Sequence, residues 1–115
     1  MSPAKRGELW FADLVEPGND HEQAGRRPVA ILQTDDLSPL STVVIIPFAT
    51  QLKTAGLAHT VLVPAKEAGQ ERDSVALCHQ IRALDRRKLT HRIGKLYPER
   101  LSEIELAAAF VLGLP

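Results

Sequence analysis

The sequence contains a single cysteine, Cys78, among its 115 residues. One cysteine excludes an intrachain disulfide and is typical of a reducing compartment. No apolar run approaches the ~20 residues that a membrane-spanning helix needs, and the first residues lack the apolar core of a signal peptide. We therefore expect a cytoplasmic protein that does not enter the membrane.

Metal ligands and aromatic residues are also scarce. The four histidines are isolated along the chain, without the paired spacing that zinc sites show, so the sequence predicts no metal or other cofactor. Aromatic side chains make up only 4% of the residues, which argues against a platform of stacked bases.

The net charge is zero, but the charged residues are unevenly distributed along the chain. The 14 basic residues balance the 14 acidic ones, so the net charge alone requires no polyanionic partner. Between Arg82 and Arg100, however, seven arginines and lysines face only Asp85 and Glu99. A neutral protein can therefore still carry a basic face.

Short apolar and β-branched runs, separated by turn residues, dominate the first ninety residues. They predict strands over Gly7 to Leu14, Pro28 to Thr34, Thr42 to Thr50, His59 to Val63 and Ser74 to Leu84, with a further short strand over Ile93 to Leu96. Strands at this spacing are typical of a small curled barrel. The chain, residues 1–115, is predicted to form one domain.

Helix is predicted only near the end of the chain. After Pro98, an apolar stripe recurs at steps of three and four residues until Gly113 and Pro115 stop the pattern: Leu101, Ile104, Ala108, Val111 and Leu112. Asp85 could also cap a single helical turn that runs to Leu89.

The segment from His21 to Pro28 is the densest in chemistry. Its two arginines, one histidine, one glutamate and one glutamine precede a strand, where functional loops often lie. Pro28 pushes Arg27 toward an extended backbone, from which a guanidinium fork can reach a phosphate. The alternative is an arginine that is merely solvated or that pins the loop through backbone carbonyls.

Three further segments offer polar groups, each with a structural alternative. Thr50 and Gln51 end the strongest strand, although threonine is also an ordinary strand residue. Alternation along a strand would place Cys78, Gln80 and Arg82 on one face, which an extended nucleic-acid strand or plain water could contact. Arg86 and Arg87 predict either a phosphate clamp or a solvated face.

Taken together, five segments resemble the MazF/PemK (Kid) family of toxin endoribonucleases. They are Gly7-Glu8-Leu9-Trp10, His21-Glu22-Gln23-Ala24-Gly25-Arg26-Arg27-Pro28, Pro47-Phe48-Ala49-Thr50-Gln51, Gln70-Glu71-Arg72-Asp73-Ser74-Val75-Ala76-Leu77 and Gln80-Ile81-Arg82-Ala83-Leu84-Asp85. The segments occur in the family's order and at its spacing, over nearly the whole chain.

The resemblance implies a mainly β (α+β) fold, an SH3-like β-barrel of the MazF/CcdB type with short helices and a C-terminal helix. It implies a homodimer whose groove binds single-stranded RNA and cleaves it without a metal at short sequences. It also implies inhibition by a MazE-like antitoxin protein, whose acidic and largely disordered tail occupies the groove.

The resemblance also implies roles for individual residues. Arg27 would be the main catalytic residue, stabilising the phosphorane as the ribose 2′-hydroxyl attacks, and His21 would aid binding or proton transfer. Thr50 completes the predicted catalytic set. The predicted RNA-contacting residues are Glu22, Gln23, Arg26, Gln51, His79, Gln80, Arg82, Arg86 and Arg87.

Two positions depart from the family's pattern. Ala49 occupies the position of the family's catalytic threonine, and Thr50 lies one residue later. Because successive strand residues face opposite sides, Thr50 can substitute only if the strand has ended or bulged there. His79 replaces an acidic RNA-contacting residue, which predicts a different cleavage sequence.

The first departure keeps a noncatalytic alternative open. The same barrel could bind RNA or an antitoxin without cleaving RNA, or act on a protein target such as gyrase, as the related CcdB toxins do. A plain SH3-like peptide-binding domain is a third alternative, but its aromatic ligand groove does not fit the scarcity of aromatic residues.

Overall fold

A computed structural model describes residues 4–14 and 25–115, which form an antiparallel sheet and one α-helix. The strands are β1 (Glu8–Asp13), β2 (Arg26–Ile31), β3 (Thr42–Ala49), β4 (Thr60–Val63), β5 (Ser74–Leu77), β6 (Arg82–Asp85) and β7 (Leu89–Lys95). Helix α1 is Pro98–Val111, and short 3-10 turns lie at Asp35–Leu37, Glu67–Gly69, Cys78–Gln80 and Arg86–Lys88. The mainly β prediction is confirmed.

Strand β3 is the centre of the sheet. It pairs antiparallel with β2, with β6 along its first half and with β5 at its last two residues, Phe48 and Ala49. The strand order is β4-β5-β3-β2-β1-β7, with β6 beside β3. The sheet of the described residues curls like a barrel without closing, in agreement with the predicted architecture.

Two apolar clusters bury the two faces of this curled sheet. One includes Trp10, Val29, Ile31, Val43 and Ile45. The other includes Leu9, Ala30, Ile46, Phe48 and Ile104 and lies beneath α1. Successive strand residues face opposite sides of a sheet. Because β3 is buried on both faces, its sequence is a continuous apolar run.

Helix α1 begins at Pro98, as predicted, and packs on the sheet through one stripe. Ile104, Ala107 and Ala108 are buried, at the spacing of one helical face. Leu112, which was expected in this stripe, is exposed because the helix ends at Val111. Gly113, at φ +69°, follows the end of the helix in the left-handed conformation that favours glycine there.

The predicted single strand over Ser74 to Leu84 is wrong. The 3-10 turn Cys78–Gln80 interrupts it, so that β5 pairs with the end of β3 and β6 with its beginning. Cys78 is buried whereas Gln80 is exposed, and the face that Cys78, Gln80 and Arg82 were expected to share does not exist. The interruption arises from tertiary pairing with β3, which no local pattern of residues records.

Strand β7 is longer than the predicted segment over Ile93 to Leu96. It begins at Leu89 and pairs with β1 through two irregularities in register. Thr90, His91 and Arg92 are exposed on this edge strand. The first half of β7 is therefore polar and contains no apolar run that would predict a strand.

Candidate active site

Arg27 lies in β2, close to the end of the neighbouring strand β3. Its side chain is partly buried, and its Nη2 donates a hydrogen bond to the Phe48 carbonyl oxygen at 3.2 Å. Strand β2 starts at Arg26, and Pro28 pairs with Phe11 of β1, so the extended backbone predicted before the proline is observed. The bond directs the guanidinium toward the point where β3 ends.

Thr50 is the first residue beyond β3. The strand ends at Ala49, and Thr50 lies exposed in a bend. Because the alternation of the strand no longer applies there, the geometric condition for Thr50 to replace a threonine at position 49 is met. Gln51 follows it and is also exposed.

A cavity of about 390 Å³ opens beside this strand end. Its apolar lining comes from Phe11, Pro28, Phe48, Ala49 and Ile93. Thr50, Gln70, Glu71, Arg72 and Ser74 supply its polar groups. A concave apolar site with a few convergent polar groups is the usual form of a small-ligand site.

Arg26 lies near the rim of this cavity. Its side chain is exposed, and its Cζ is 5.8 Å from the centroid of the Phe11 ring, within the range of a cation–π contact. On the same ring, His91 of β7 lies at 4.8 Å between centroids, at a 46° tilt. The predicted RNA-contacting position of Arg26 is therefore accessible.

Three of the predicted site residues, His21, Glu22 and Gln23, lie outside the described residues. Their assignment stays a prediction. Gly25, the first described residue of this loop, accepts a backbone hydrogen bond from Leu14 at 3.4 Å. The loop therefore returns to the sheet directly before Arg26 and Arg27.

His79, Gln80 and Arg82 lie at the other end of β5. His79 and Gln80 are exposed in the 3-10 turn, and the His79 ring meets His59 edge-on, with 4.8 Å between ring centroids. Arg82 is partly buried in β6, where it pairs with Ile45 of β3. These residues and Arg27 flank the same central strand from its two sides.

Arg86 does not have the exposed position that a phosphate clamp needs. It is 4% exposed, and its Nε donates to the Leu40 carbonyl oxygen at 2.7 Å. Its backbone N–H also bonds the Ser41 carbonyl, at 2.9 Å. The prediction that Arg86 contacts RNA conflicts with this burial, because the side chain holds the chain before β3 instead.

Arg87, in contrast, is exposed and bonds its near neighbour Asp85. Asp85 caps the turn, as predicted, by accepting from the Arg87 backbone N–H at 2.9 Å, and the two side chains form an ion pair at 2.8 Å. The side-chain hydrogen bond from Arg87 lowers the pKa of Asp85 to about 2. Arg87 remains within reach of an external phosphate.

The cavity contains residues that the sequence analysis missed. Phe11, Ile93 and Ser74 come from three strands, and Gln70 and Arg72 come from a segment with an ordinary turn composition. Only the pairing of β1 with β2 and β7 brings Phe11, Pro28 and Ile93 to one side of the sheet. No spacing along the chain signals this proximity.

Neither a metal site nor a membrane segment is found in the described part of the chain. No three histidine, cysteine, aspartate or glutamate side chains of residues 4–14 and 25–115 could together hold a metal ion. None of the helices in the same ranges is long and apolar enough to span a bilayer. Burial raises the pKa of the Cys78 thiol to about 11, which makes it a poor nucleophile.

A protein-family model and a curated relative both match nearly the whole chain. The family model described as PemK-like, MazF-like toxin of type II toxin-antitoxin system matches residues 5–112. Endoribonuclease EndoA of Bacillus subtilis (strain 168) is 39% identical over 111 residues, which are 96% of this chain and 95% of that protein.

Solved structures give the same architecture. The Mycobacterium tuberculosis toxin MazF-mt6 superposes with a TM-score of 0.76 at 26% identity, covering 94% of this chain and 98% of that one. A MazE-MazF structure (Form-III) from Deinococcus radiodurans gives a TM-score of 0.80 at 20% identity, covering 99% of this chain and 100% of that one. At 20% identity, the second match supports the fold alone.

Proposed function

The chain belongs to the PemK-like, MazF-like family of type II toxins, and from this premise we propose that it is a sequence-specific endoribonuclease toxin that cleaves single-stranded RNA. The activity of its relative EndoA supports this assignment. The observation that carries it is the bond from Arg27 to the Phe48 carbonyl, which holds a guanidinium beside an open cavity and an exposed threonine.

Cleavage proceeds by attack of the ribose 2′-hydroxyl on the adjacent phosphorus. The new P–O2′ bond forms as the P–O5′ bond breaks, giving a 2′,3′-cyclic phosphate and a 5′-hydroxyl. Negative charge grows on the phosphoryl oxygens in the transition state, and a guanidinium donates two parallel hydrogen bonds to such oxygens. Arg27 supplies this stabilisation and requires no metal ion.

Proton transfer completes the reaction. The 2′-hydroxyl loses a proton, and the leaving 5′ oxygen gains one. Thr50 contacts the reacting phosphate from the end of β3, and His21 supplies an imidazole, the side chain that most often transfers protons in catalysis. The exposed position of Thr50, one residue beyond the strand, supports its role.

RNA binding extends from this centre along the surface. Exposed or partly buried side chains at Arg26, Gln51, His79, Gln80, Arg82 and Arg87 support their proposed contacts with RNA, and Glu22 and Gln23 complete the set. We leave Arg86 out, because its guanidinium bonds the Leu40 carbonyl inside the protein.

We further propose a cytoplasmic homodimer, one domain per chain, that a MazE-like antitoxin inhibits. The family model that matches the chain describes a toxin of a type II toxin-antitoxin system, which supports a protein inhibitor. Helix α1 and β4 expose a broad apolar face with Leu62, Leu106 and Phe110, beside a cavity of about 850 Å³. An apolar patch of this kind marks a protein interface, and a second copy of the chain would cover it.

The chemistry is testable with the purified full chain and mixed-sequence single-stranded RNA in excess EDTA. We expect fragments with 2′,3′-cyclic phosphate and 5′-hydroxyl ends, and no cleavage where the nucleotide before the cut lacks its 2′-hydroxyl. A requirement for added metal, or cleavage of the 2′-deoxy substrate, would contradict the mechanism. Binding without cleavage of any sequence would support the noncatalytic module that Ala49 leaves open.

A further inference from the structure

We propose that the cavity beside Thr50 is a nucleobase pocket, which holds one base of a nucleotide next to the cleaved linkage. The inference rests on the proposed ribonuclease activity and assigns a specificity-determining role to residues outside the predicted site. Its support comes from the shape of the cavity, from the way its wall is held and from its position relative to Arg27.

The lining matches the chemistry of a base. Phe11, Pro28 and Ile93, on three adjacent strands, form apolar walls. Polar groups of Gln70 and Ser74 also border the cavity. A nucleobase has two flat apolar faces and a polar edge, so it can bury its faces against the walls while its edge meets the polar groups.

Gln70 is positioned to read that edge. Its Oε1 accepts a hydrogen bond from the Ser74 hydroxyl at 2.5 Å, which fixes the orientation of the carboxamide. Its Nε2 lies 3.4 Å from the Glu67 carbonyl oxygen, a long bond that uses one of two N–H groups. The second N–H can donate to an acceptor atom of a base.

The wall behind Gln70 is a strained turn. Lys66 and Ala68 have φ values of 77° and 57°, in the left-handed region that non-glycine residues rarely adopt, and Gly69 has a φ of 80°. Each such conformation costs on the order of 1 kcal/mol and persists where the surrounding structure enforces it, commonly at ligand sites.

Two glycines let this turn approach β7 closely. A Cβ at Gly94 would lie 2.2 Å from the Ala68 carbonyl oxygen, and one at Gly69 would lie 2.6 Å from the Ile93 carbonyl oxygen. Neither position accepts a larger residue without moving backbone. The wall therefore has one position relative to Ile93, which also lines the cavity.

A buried ion pair fixes the same turn to helix α1. The Glu67 carboxylate, in a residue only 4% exposed, accepts from Arg100 Nε at 3.0 Å and from the Tyr97 backbone N–H at 3.2 Å. A buried carboxylate needs such partners. Strain, close packing and a buried charge pair thus all hold one short turn, and the cavity is preorganised before any ligand enters.

The position of the cavity connects it to the reaction. Phe48 and Thr50 line it, and the carbonyl of Phe48 accepts the hydrogen bond from Arg27. A base in the cavity would leave its sugar and phosphate beside Thr50. The volume of about 390 Å³ suits one nucleoside, because small-ligand sites start at roughly 300 Å³.

The test is a double-mutant cycle, in which an abasic substitution in the RNA is combined with a side-chain substitution in the protein. An oligonucleotide with the mapped cleavage sequence is prepared with a single abasic ribose at each position in turn. We expect one position next to the cut to lose roughly ten- to hundredfold in kcat/KM with the wild-type chain, the size of one buried base contact. In Gln70→Ala the same abasic site should cost less than in wild type, because the contact between Gln70 and the edge of the base is already absent.

Two additional variants keep the result interpretable. Glu71→Trp fills the cavity from an exposed position and removes no hydrogen bond among the described residues, so it should also reduce the abasic penalty at that position even if Gln70→Ala folds poorly. Gln33→Ala is the matched control, since Gln33 is a half-buried glutamine that bonds only backbone groups of Thr42 and Val44 and, at 3.4 Å, Leu37. Its abasic penalties should equal those of wild type.

Several outcomes would contradict the proposal that the cavity binds a nucleobase. If each abasic site lowers kcat/KM by the same factor in Gln70→Ala and Glu71→Trp as in wild type, no base occupies the cavity. If the variants cleave every substrate as wild type does but lose antitoxin affinity, the cavity binds the inhibitor instead. Absence of any cleavage by wild type refutes the proposed function separately, and the affinities of wild type, Gln70→Ala and Glu71→Trp for mixed-sequence single-stranded RNA and for its abasic counterpart then decide the pocket.

Discussion

The two ends of β3 each meet a pair of adjacent arginines, and the pairs differ in burial. At the end of the strand, the partly buried Arg27 donates to the carbonyl of Phe48, a residue that lines the cavity together with the exposed Thr50. At the beginning, Arg86 is buried and bonds Leu40, while Asp85 and Arg87 pair on the surface.

This difference separates function from stability along one strand. A partly buried guanidinium beside open space can rearrange toward a ligand phosphate, whereas one enclosed by its own chain holds that chain in place. The two arginine pairs look alike in sequence, and only the surroundings of each side chain distinguish them. Substitutions at the two ends should therefore have opposite effects on activity and folding.

The largest expected effect is that of Arg27→Ala on cleavage. Losing the group that stabilises the transition-state charge should lower the single-turnover rate in EDTA by roughly 10²- to 10³-fold. The free energy of unfolding in urea should fall by about 1 kcal/mol, a typical effect of losing side-chain hydrogen bonding at a partly buried position. Arg92→Ala is the control, because Arg92 of β7 forms an ion pair with Glu8 of β1, and its loss should leave the rate within about twofold.

Arg86→Ala should show the reverse pattern. Removing a buried guanidinium that bonds the Leu40 carbonyl should lower the free energy of unfolding by about 1–3 kcal/mol. The cleavage rate per folded molecule should stay close to that of wild type. Urea unfolding and single-turnover kinetics on the same preparation measure both quantities, and a loss of RNA affinity without a loss of stability would refute the structural role.

Thr50→Ala tests whether the threonine hydroxyl takes part in catalysis at the end of β3 near Arg27. Loss of one hydroxyl contact to the reacting phosphate should lower the cleavage rate by about tenfold. Thr50→Ser should retain most of the rate, and the double variant Ala49→Thr/Thr50→Ala tests which of the two positions the chemistry uses. A rate unchanged in Thr50→Ala would remove Thr50 from the catalytic residues.

The smallest expected effect is the pH dependence of stability that Asp85 contributes at the beginning of β3. Asp85 has a folded-state pKa of about 2, below the ordinary 3.8, so its charge stabilises the fold above about pH 4. That contribution is lost as pH falls from 4 to 2. Wild type should therefore be slightly more stable than Asp85→Asn at pH 5, and the difference should shrink toward pH 2 in urea titrations. A difference independent of pH would contradict this assignment.

Local signals explain which parts of the fold were predictable. The β-branched residues of β3, Pro98 at the start of α1 and Asp85 before its turn all act within a few residues of the structure that they favour. The turn Cys78–Gln80 and the first half of β7 were missed, because pairing with β3 and β1 determines them.

The candidate site divides in the same way. The extended backbone of Arg27 was predictable because its determinants are local: a following proline and the start of a strand. The burial of Arg86 depends on the Leu40 carbonyl, 46 residues away in sequence. Phe11, Ile93 and Gln70 meet only after three parts of the chain pack together, so no sequence motif predicts the cavity.

The most direct test compares the two arginine variants in one assay. Arg27→Ala and Arg86→Ala are assayed side by side for single-turnover cleavage of the same oligonucleotide in EDTA, at a temperature where both remain folded. Our account predicts that Arg86→Ala cleaves at least about a hundredfold faster than Arg27→Ala. Equal rates, or a slower rate for Arg86→Ala, would contradict the assignment of the reaction to the Arg27 end of β3.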